Sequence, residues 1–147
     1  MVWGVLSIKG QISCHSFRRI MDGPYYVQIL EDSLLDRTRA QFGHRWRFQM
    51  DNDPKHTSNV AQQFLDQEVP ETIDWPSNSP DINPTENLWS VLERNVDKQK
   101  PANIDELEEF LNQEWENIEL STLINLVLSM KTRCLAIIEL KGERINC

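Results

Sequence analysis

Hydrophobic and polar residues alternate through RWRFQMD, residues 45–51: Trp46, Phe48 and Met50 fall on one side, Arg47, Gln49 and Asp51 on the other. A repeat of two marks a strand with one buried face. The pattern therefore predicts a strand over 46–50 that delivers Asp51 to its carboxyl end, where Asn52, Asp53 and Pro54 form a turn. Upstream, VWGVLSI reads as a buried strand, Lys9 and Gly10 as a turn, and QISCHSF as the second strand of a hairpin. The spacing then lengthens to that of a helix. Tyr26, Ile29, Leu30, Leu34 and Phe42 predict one helix stopped by Gly43, and Ser58 caps another running to about Glu68, with Val60, Ala61, Phe64 and Leu65 inward. TIDW, residues 72–75, follows as a short strand, and a strand, helix, strand order favours parallel pairing with a right-handed crossover.

Residues 76–84, PSNSPDINP, hold three prolines and read as an ordered loop. Pro84 suits the first turn of a helix to about Lys98, with Leu88, Leu92 and Val96 in one row. After the polar hinge KQKPAN, Asn103 and Glu106 form a capping box for a helix carrying Ile104, Leu107, Leu111, Trp115 and Ile118. Ser121 caps a last helix whose Ile124, Val127, Leu128, Leu135 and Ile138 face inward, ending near Gly142. The pattern is that of an α/β protein, with a strand/helix core over about 1–98 and a helical tail over about 102–140.

The length, 147 residues, suits one domain. No apolar run in the sequence reads as a membrane span, and the opening MVWGVLSIKG lacks the parts of a leader peptide. Cys14, Cys134 and Cys147 are odd in number and widely spaced, which reads as reduced intracellular thiols rather than a disulfide frame or zinc site. A net charge of −8 argues against a general nucleic-acid binder, but the charge is uneven. Residues 1–60 carry eight Lys/Arg against six Asp/Glu, hence +2, and residues 61–147 carry seven against seventeen, hence −10. Any contact with a polyanion belongs to the first part, where Arg37, Arg39, Arg45, Arg47 and Lys55 lead into the polar turn.

Asp51 at a strand end and Glu86 at a helix start, with 34 residues between them, supply hard oxygen ligands from separate elements. That is the kind of assembly a two-metal phosphoryl-transfer site needs. Plain alternatives stand beside it: acids favour helix N-termini through the dipole, and the 51–57 turn also reads as a solvated surface turn.

Taken together, FQMDNDPKHTS, WPSNSPDINPTENLW and the interval between their acids resemble the catalytic domain of Tc/mariner-type transposases, members of the RNase H-like DDE superfamily. VWGVLSIKG, YYVQIL and SMKTRCLAIIELKG are similar to successive landmarks of the same family, so the resemblance covers essentially the whole chain. It implies an RNase H-like fold, a mixed sheet with flanking helices, here incomplete because the first strands are missing, with a helical C-terminal portion. By the same match Asp51 is the second catalytic carboxylate and Glu86 the third. In the family such carboxylates hold two divalent ions, Mg²⁺ or Mn²⁺, one activating water or the freed 3′-hydroxyl and the other stabilising the leaving oxygen. The resemblance places Lys55 and His56 beside the scissile DNA strand, with Arg47 in the basic approach, and leaves Asp53 as the runner-up ligand. It also implies transposon-end DNA as partner and the nucleus as location; the hydropathy adds no membrane, and a second copy of the chain, in a homodimer, is the other partner expected.

No residue matches the family's first aspartate, which lies upstream of the VWG strand, and no segment matches its amino-terminal helix-turn-helix pair. Asp22, before a helix, and Asp36, on it, are not substitutes. The expectation is a truncated remnant of a cut-and-paste transposase, acting in DNA integration by ancestry and unable to transfer strands alone. The VWGVLSI strand must then pair with RWRFQM, pair across a dimer, or leave an edge exposed. Two other readings stay open. One is a non-catalytic nuclear protein-interaction or dimerisation module whose acidic tail makes contact through Leu107, Leu111 and Trp115, residues that also fit an ordinary core. The other is a folded relic with no function beyond folding.

Overall fold

The computed structural model describes residues 1–77 and 79–145, which fall into two compact units. A hairpin of β1 (Val2–Ser7) and β2 (Gly10–Ser16) contributes to both: Met1–Val5 and the chain from His15 belong to the first unit, Leu6–Cys14 to the second. Reciprocal bonds between Met1 and Phe17, each 2.9 Å, set its register. Gly10 turns the chain at φ +132°, a conformation side-chain-bearing residues rarely adopt. Among the described residues β1 pairs with β2 alone, so the direct pairing with RWRFQM is not formed and the other edge of β1 is unpaired.

In the first unit, α1 (Gly23–Leu30) starts at Asp22, whose carboxylate accepts from the Tyr25 amide at 2.9 Å, so this acid serves as a cap. The long helix expected here is not uniform. It widens into a π-helical turn over Glu31–Leu35 before α2 (Asp36–Phe42), and the Thr38 hydroxyl donates back to the carbonyls of Leu34 at 2.8 Å and Leu35 at 3.0 Å. Tyr26, Ile29, Leu30 and Leu34 are buried as their spacing predicts. Helix α3 (Asn59–Glu68) packs on α1 with Ala61 and Leu65 buried, whereas Val60 faces out. Gly23 permits the approach: a Cβ there would lie 3.0 Å from both Ser58 Cβ and Val60 Cγ1.

The strands expected at 46–50 and 72–75 reduce to one parallel bridge between Phe48 and Thr72. Phe48 donates to Glu71 O at 2.8 Å and accepts from Ile73 at 2.9 Å. The parallel sense is as expected. The short extent follows from the lack of a described neighbour on the other side of Phe48, since a ladder two chains wide and one bridge long has little to propagate it.

In the second unit, α4 (Pro84–Gln99) is capped by Asn83, whose side chain accepts from Thr85 N at 3.1 Å, and buries Leu88, Leu92 and Val96. Helix α5 (Ile104–Glu116) has its expected capping residues: Glu106 N donates to Asn103 Oδ1 at 2.9 Å, while the Glu106 carboxylate reaches back to Ala102 N at 2.8 Å. Leu88, Leu92, Trp115 and Leu123 form the core, with Leu6, Cys14, Trp89, Leu111, Ile118 and Leu126 packed around it. Ile104 and Leu107 are exposed. Cys14 is half-buried and Cys134 exposed, neither of them in a disulfide; Cys147 lies outside the described residues.

Helix α6 (Leu120–Glu139) departs most from expectation. It starts one residue before Ser121, whose hydroxyl donates to Glu119 Oε2 at 3.0 Å instead of capping. Leu128, Leu135 and Ile138 are 60, 51 and 71% exposed, and the buried residues are Leu123 and Arg133. The sequence pattern misleads because both faces carry apolar residues and the inward face carries an arginine. By length and composition α6 could also cross a bilayer, contrary to the sequence expectation. A central arginine costs about 2.5–3.5 kcal/mol there, whereas here it is hydrogen-bonded to Asp81 and Asn87 and Leu123 lies in the core, which fits a helix packed on α4.

Candidate functional site

The turn after Phe48 is built from its own polar side chains. The Asp51 Oδ1 accepts from the Asp53 amide at 3.2 Å and lies 2.6 Å from His56 Nδ1. A carboxylate only accepts, so Nδ1 carries the proton in this contact. Asp53 closes the turn: Oδ1 accepts from Lys55 N at 3.0 Å, Oδ2 pairs with Lys55 Nζ at 2.5 Å, and its carbonyl accepts from His56 and Thr57. Ser58 then caps α3, its hydroxyl donating to Lys55 O at 2.9 Å and accepting from Ala61 N. Asn52 Nδ2 donates to Trp75 O at 2.7 Å, which ties the turn to the chain after the Thr72 bridge.

His56 is held by Asp51 on one side and by the Tyr26 ring on another. Its side chain is 12% exposed, its ring lies 4.3 Å from that of Tyr26, and Nε2 is buried with no partner among the described residues. Tyr26 is itself buried, with its hydroxyl on Met50 Sδ at 3.8 Å. Burial above all, and then the charges of Asp51 and Asp53, push the Tyr26 phenol far above its ordinary range, so it is neutral at any physiological pH. Burial also opposes ionisation of Asp53, but the hydrogen bonds from the Lys55 side chain and amide, with the charges of Lys55 and His56, outweigh it and hold that carboxyl below the usual carboxylate range.

The three basic residues expected to touch DNA each have a carboxylate partner: Lys55 with Asp53, His56 with Asp51, and Arg47 with Glu71 at 2.7 Å. The Arg47 pair is solvent-exposed on both sides, so exchanging Glu71 for a phosphate costs about 1 kcal/mol or less.

In the second unit, Glu86 occupies the first turn of α4, where the dipole favours an anion. It faces a cleft of about 440 Å³ lined also by Pro80, Asp81, Asn87, Ser90, Arg144 and Ile145. Its carboxylate has no bonded partner among the described residues. Neither has Asp51 Oδ2, although Asp51 is 55% exposed. Both oxygens of Asp53 are engaged. The donor chemistry of Asp51 and Glu86 thus fits a hard divalent cation, and Asp53 is the weaker candidate. Among the described residues no three His, Cys, Asp or Glu side chains gather as a metal site. Sequence reasoning missed Tyr26 as the platform of His56, Arg144 on the Glu86 cleft, and Arg133. Only Tyr26 left a signal, as a buried aromatic on the inward face of α1.

The model of a family described as DDE superfamily endonuclease matches residues 2–108. The Tcb1 transposase of Caenorhabditis briggsae is 38% identical over 143 residues, covering 97% of this chain and 52% of that protein. The Tc1 transposase of Caenorhabditis elegans is 35% identical over 142 residues, with the same 97% and 52%. The chain spans about half the length of these curated relatives. The crystal structure of the catalytic domain of Mos1 mariner transposase superposes with a TM-score of 0.90 at 16% identity, covering 99% of this chain and 75% of that one, which establishes a shared fold. Mos1 catalytic-domain structures with Mn and with Mg, and a Mos1 paired-end complex with the left transposon end, match with TM-scores of 0.89.

Proposed function

The chain belongs to the Tc/mariner transposases of the DDE endonuclease superfamily and shares the RNase H-like fold of their catalytic domain; from that premise we propose that it derives from the catalytic domain of a cut-and-paste transposase. Asp51 and Glu86 are its metal-binding carboxylates, for Mg²⁺ or Mn²⁺, and transposon-end DNA in the nucleus is its ancestral substrate. The observation that carries this reading is the difference among the acids of the two motifs: Asp53 is consumed by its own turn, while Asp51 and Glu86 keep oxygens open.

When bound, a divalent ion supplies Lewis-acid stabilisation of the charge that builds on the phosphoryl oxygens. The chain's own residues do the rest. His56 orients Asp51 through Nδ1, and the neutral Tyr26 ring supports His56 without adding charge. Lys55, while paired with Asp53, adds a point charge beside the turn, and Arg47 offers a phosphate a planar fork on leaving Glu71. Two carboxylates give weak binding of one ion and not a paired site, so the chain alone transfers no strands. Incubation of the purified chain with supercoiled plasmid and Mn²⁺ tests this: Mn²⁺ binding that is lost in Asp51→Asn and in Glu86→Gln, without nicking, is expected. Nicking abolished by Asp51→Asn would overturn the inactivity.

A second reading, a non-catalytic dimerisation or protein-interaction module, draws support from the exposed Leu128, Leu135 and Ile138. Of the residues first assigned to it, Leu107 is exposed, whereas Trp115 and Leu111 belong to the core and fit less well. Sedimentation equilibrium showing a dimer lost in Leu135→Asp and kept in Asp51→Ala would favour it.

A further inference from the structure

Helix α6 carries an arginine where its packing face should be apolar. Arg133 is 6% exposed, and each of its donor groups is directed. Nε donates to Ser129 Oγ at 2.9 Å, one terminal nitrogen to the Asp81 carbonyl at 3.1 Å, and the other to Asn87 Oδ1 at 2.7 Å. Ser129 is fixed in turn, donating to Leu126 O at 2.7 Å. All these acceptors are neutral, and burying a cation without a carboxylate is costly compared with a leucine of similar reach. Packing therefore does not explain the residue. Its acceptors do: Asp81 and Asn87 bracket the stretch that contains Glu86.

That stretch needs an external hold. It comes out of a proline-rich loop with no backbone ladder, and its anchors include Asn83 N on Pro80 O at 3.1 Å, Glu86 N on Asn83 O at 3.2 Å, the Ile145 amide on Asp81 Oδ2 at 2.9 Å, and Arg133. Arg133 ties the Asp81 carbonyl of the loop and the Asn87 side chain of α4 to one rigid plane, something the single ammonium of lysine cannot do. Asn87 is the next residue to Glu86, so fixing its side chain fixes the rotation of the helix start and the direction in which the Glu86 carboxylate enters the cleft.

We infer that Arg133 is a positioning residue for Glu86, holding Asp81 and Asn87 so that the carboxylate is presented to a divalent cation. The inference rests on the proposed role of Glu86 as a ligand. It is tested in the full chain by Mn²⁺ titration followed by paramagnetic broadening, with amide exchange at Glu86–Leu88 and the thermal midpoint measured on each variant. Asn87→Ala, which removes one acceptor and leaves the arginine in place, should weaken Mn²⁺ binding about tenfold and speed exchange at Glu86–Leu88, with little change in midpoint. Arg133→Lys should weaken binding at least as much and not rescue it; Ser129→Ala should have a smaller effect. If Arg133→Lys does not fold, Asn87→Ala decides. Mn²⁺ binding that depends on Glu86 and is unchanged in folded Asn87→Ala and Arg133→Lys would overturn the inference and leave the ligand reading intact. Mn²⁺ binding indifferent to Glu86→Gln would overturn the ligand reading itself, and the inference with it.

Discussion

Replacing His56 by alanine removes the contact on which the geometry of the Asp51 turn depends. Two interactions are lost: the 2.6 Å bond to Asp51 and the ring contact with Tyr26 at 4.3 Å. A hydrogen bond to a charged group contributes about 1.5–3 kcal/mol, and an aromatic pair about 0.5–1.5 kcal/mol. Asp51 is 55% exposed, so water screens the first contribution and re-solvates the carboxylate in the variant, which puts the bond at the low end. The expected loss is about 2–3 kcal/mol, read from urea unfolding followed by tryptophan fluorescence. A double-mutant cycle with Asp51→Ala isolates the bond, with a coupling of about 1.5 kcal/mol expected. A loss below about 0.5 kcal/mol, or the same loss in the Asp51→Ala background, would refute the claim that His56 organises Asp51.

Other outcomes follow from the same unit. Gly23→Ala should cost about 1–3 kcal/mol, because its methyl meets Ser58 and Val60 at 3.0 Å or closer and displaces the cap of α3; an unchanged unfolding midpoint would show that the α1–α3 approach is not tight. The depressed Asp53 carboxyl contributes stability above its unfolded value of about 3.9, lost as pH falls through the lower folded value, and Asp53→Asn should remove that part of the acid limb of a stability profile. The raised Tyr26 phenol acts in the opposite sense: stability is full below about pH 10 and declines above it, a decline that Tyr26→Phe should abolish.

Where local chemistry decides the structure, the sequence is readable. Asn103 with Glu106, Ser58, Pro84 and the row Leu88, Leu92, Val96 all act as their types and spacing predict. The turn at Asp51 is legible for the same reason, since its bonds are made within seven residues. Extended structure is less so, because RWRFQM has the alternation of a strand but a strand exists only with a partner, and Phe48 has one bridge. Helix α6 defeats the pattern from another side: its apolar residues surround the helix, so hydropathy cannot choose a face, and the choice falls to Arg133, whose acceptors lie 46 and 52 residues away. The roles of Asp51 and Glu86 rest on motif order, while the structure contributes which of their oxygens are engaged.

The ligand roles proposed for Asp51 and Glu86 are decided by diffraction from crystals grown with Mn²⁺ and measured at the manganese absorption edge. An anomalous peak with carboxylate oxygens of both Asp51 and Glu86 within about 2.0–2.6 Å of it is expected. A peak held by either acid without the other, or none near them, would contradict those roles.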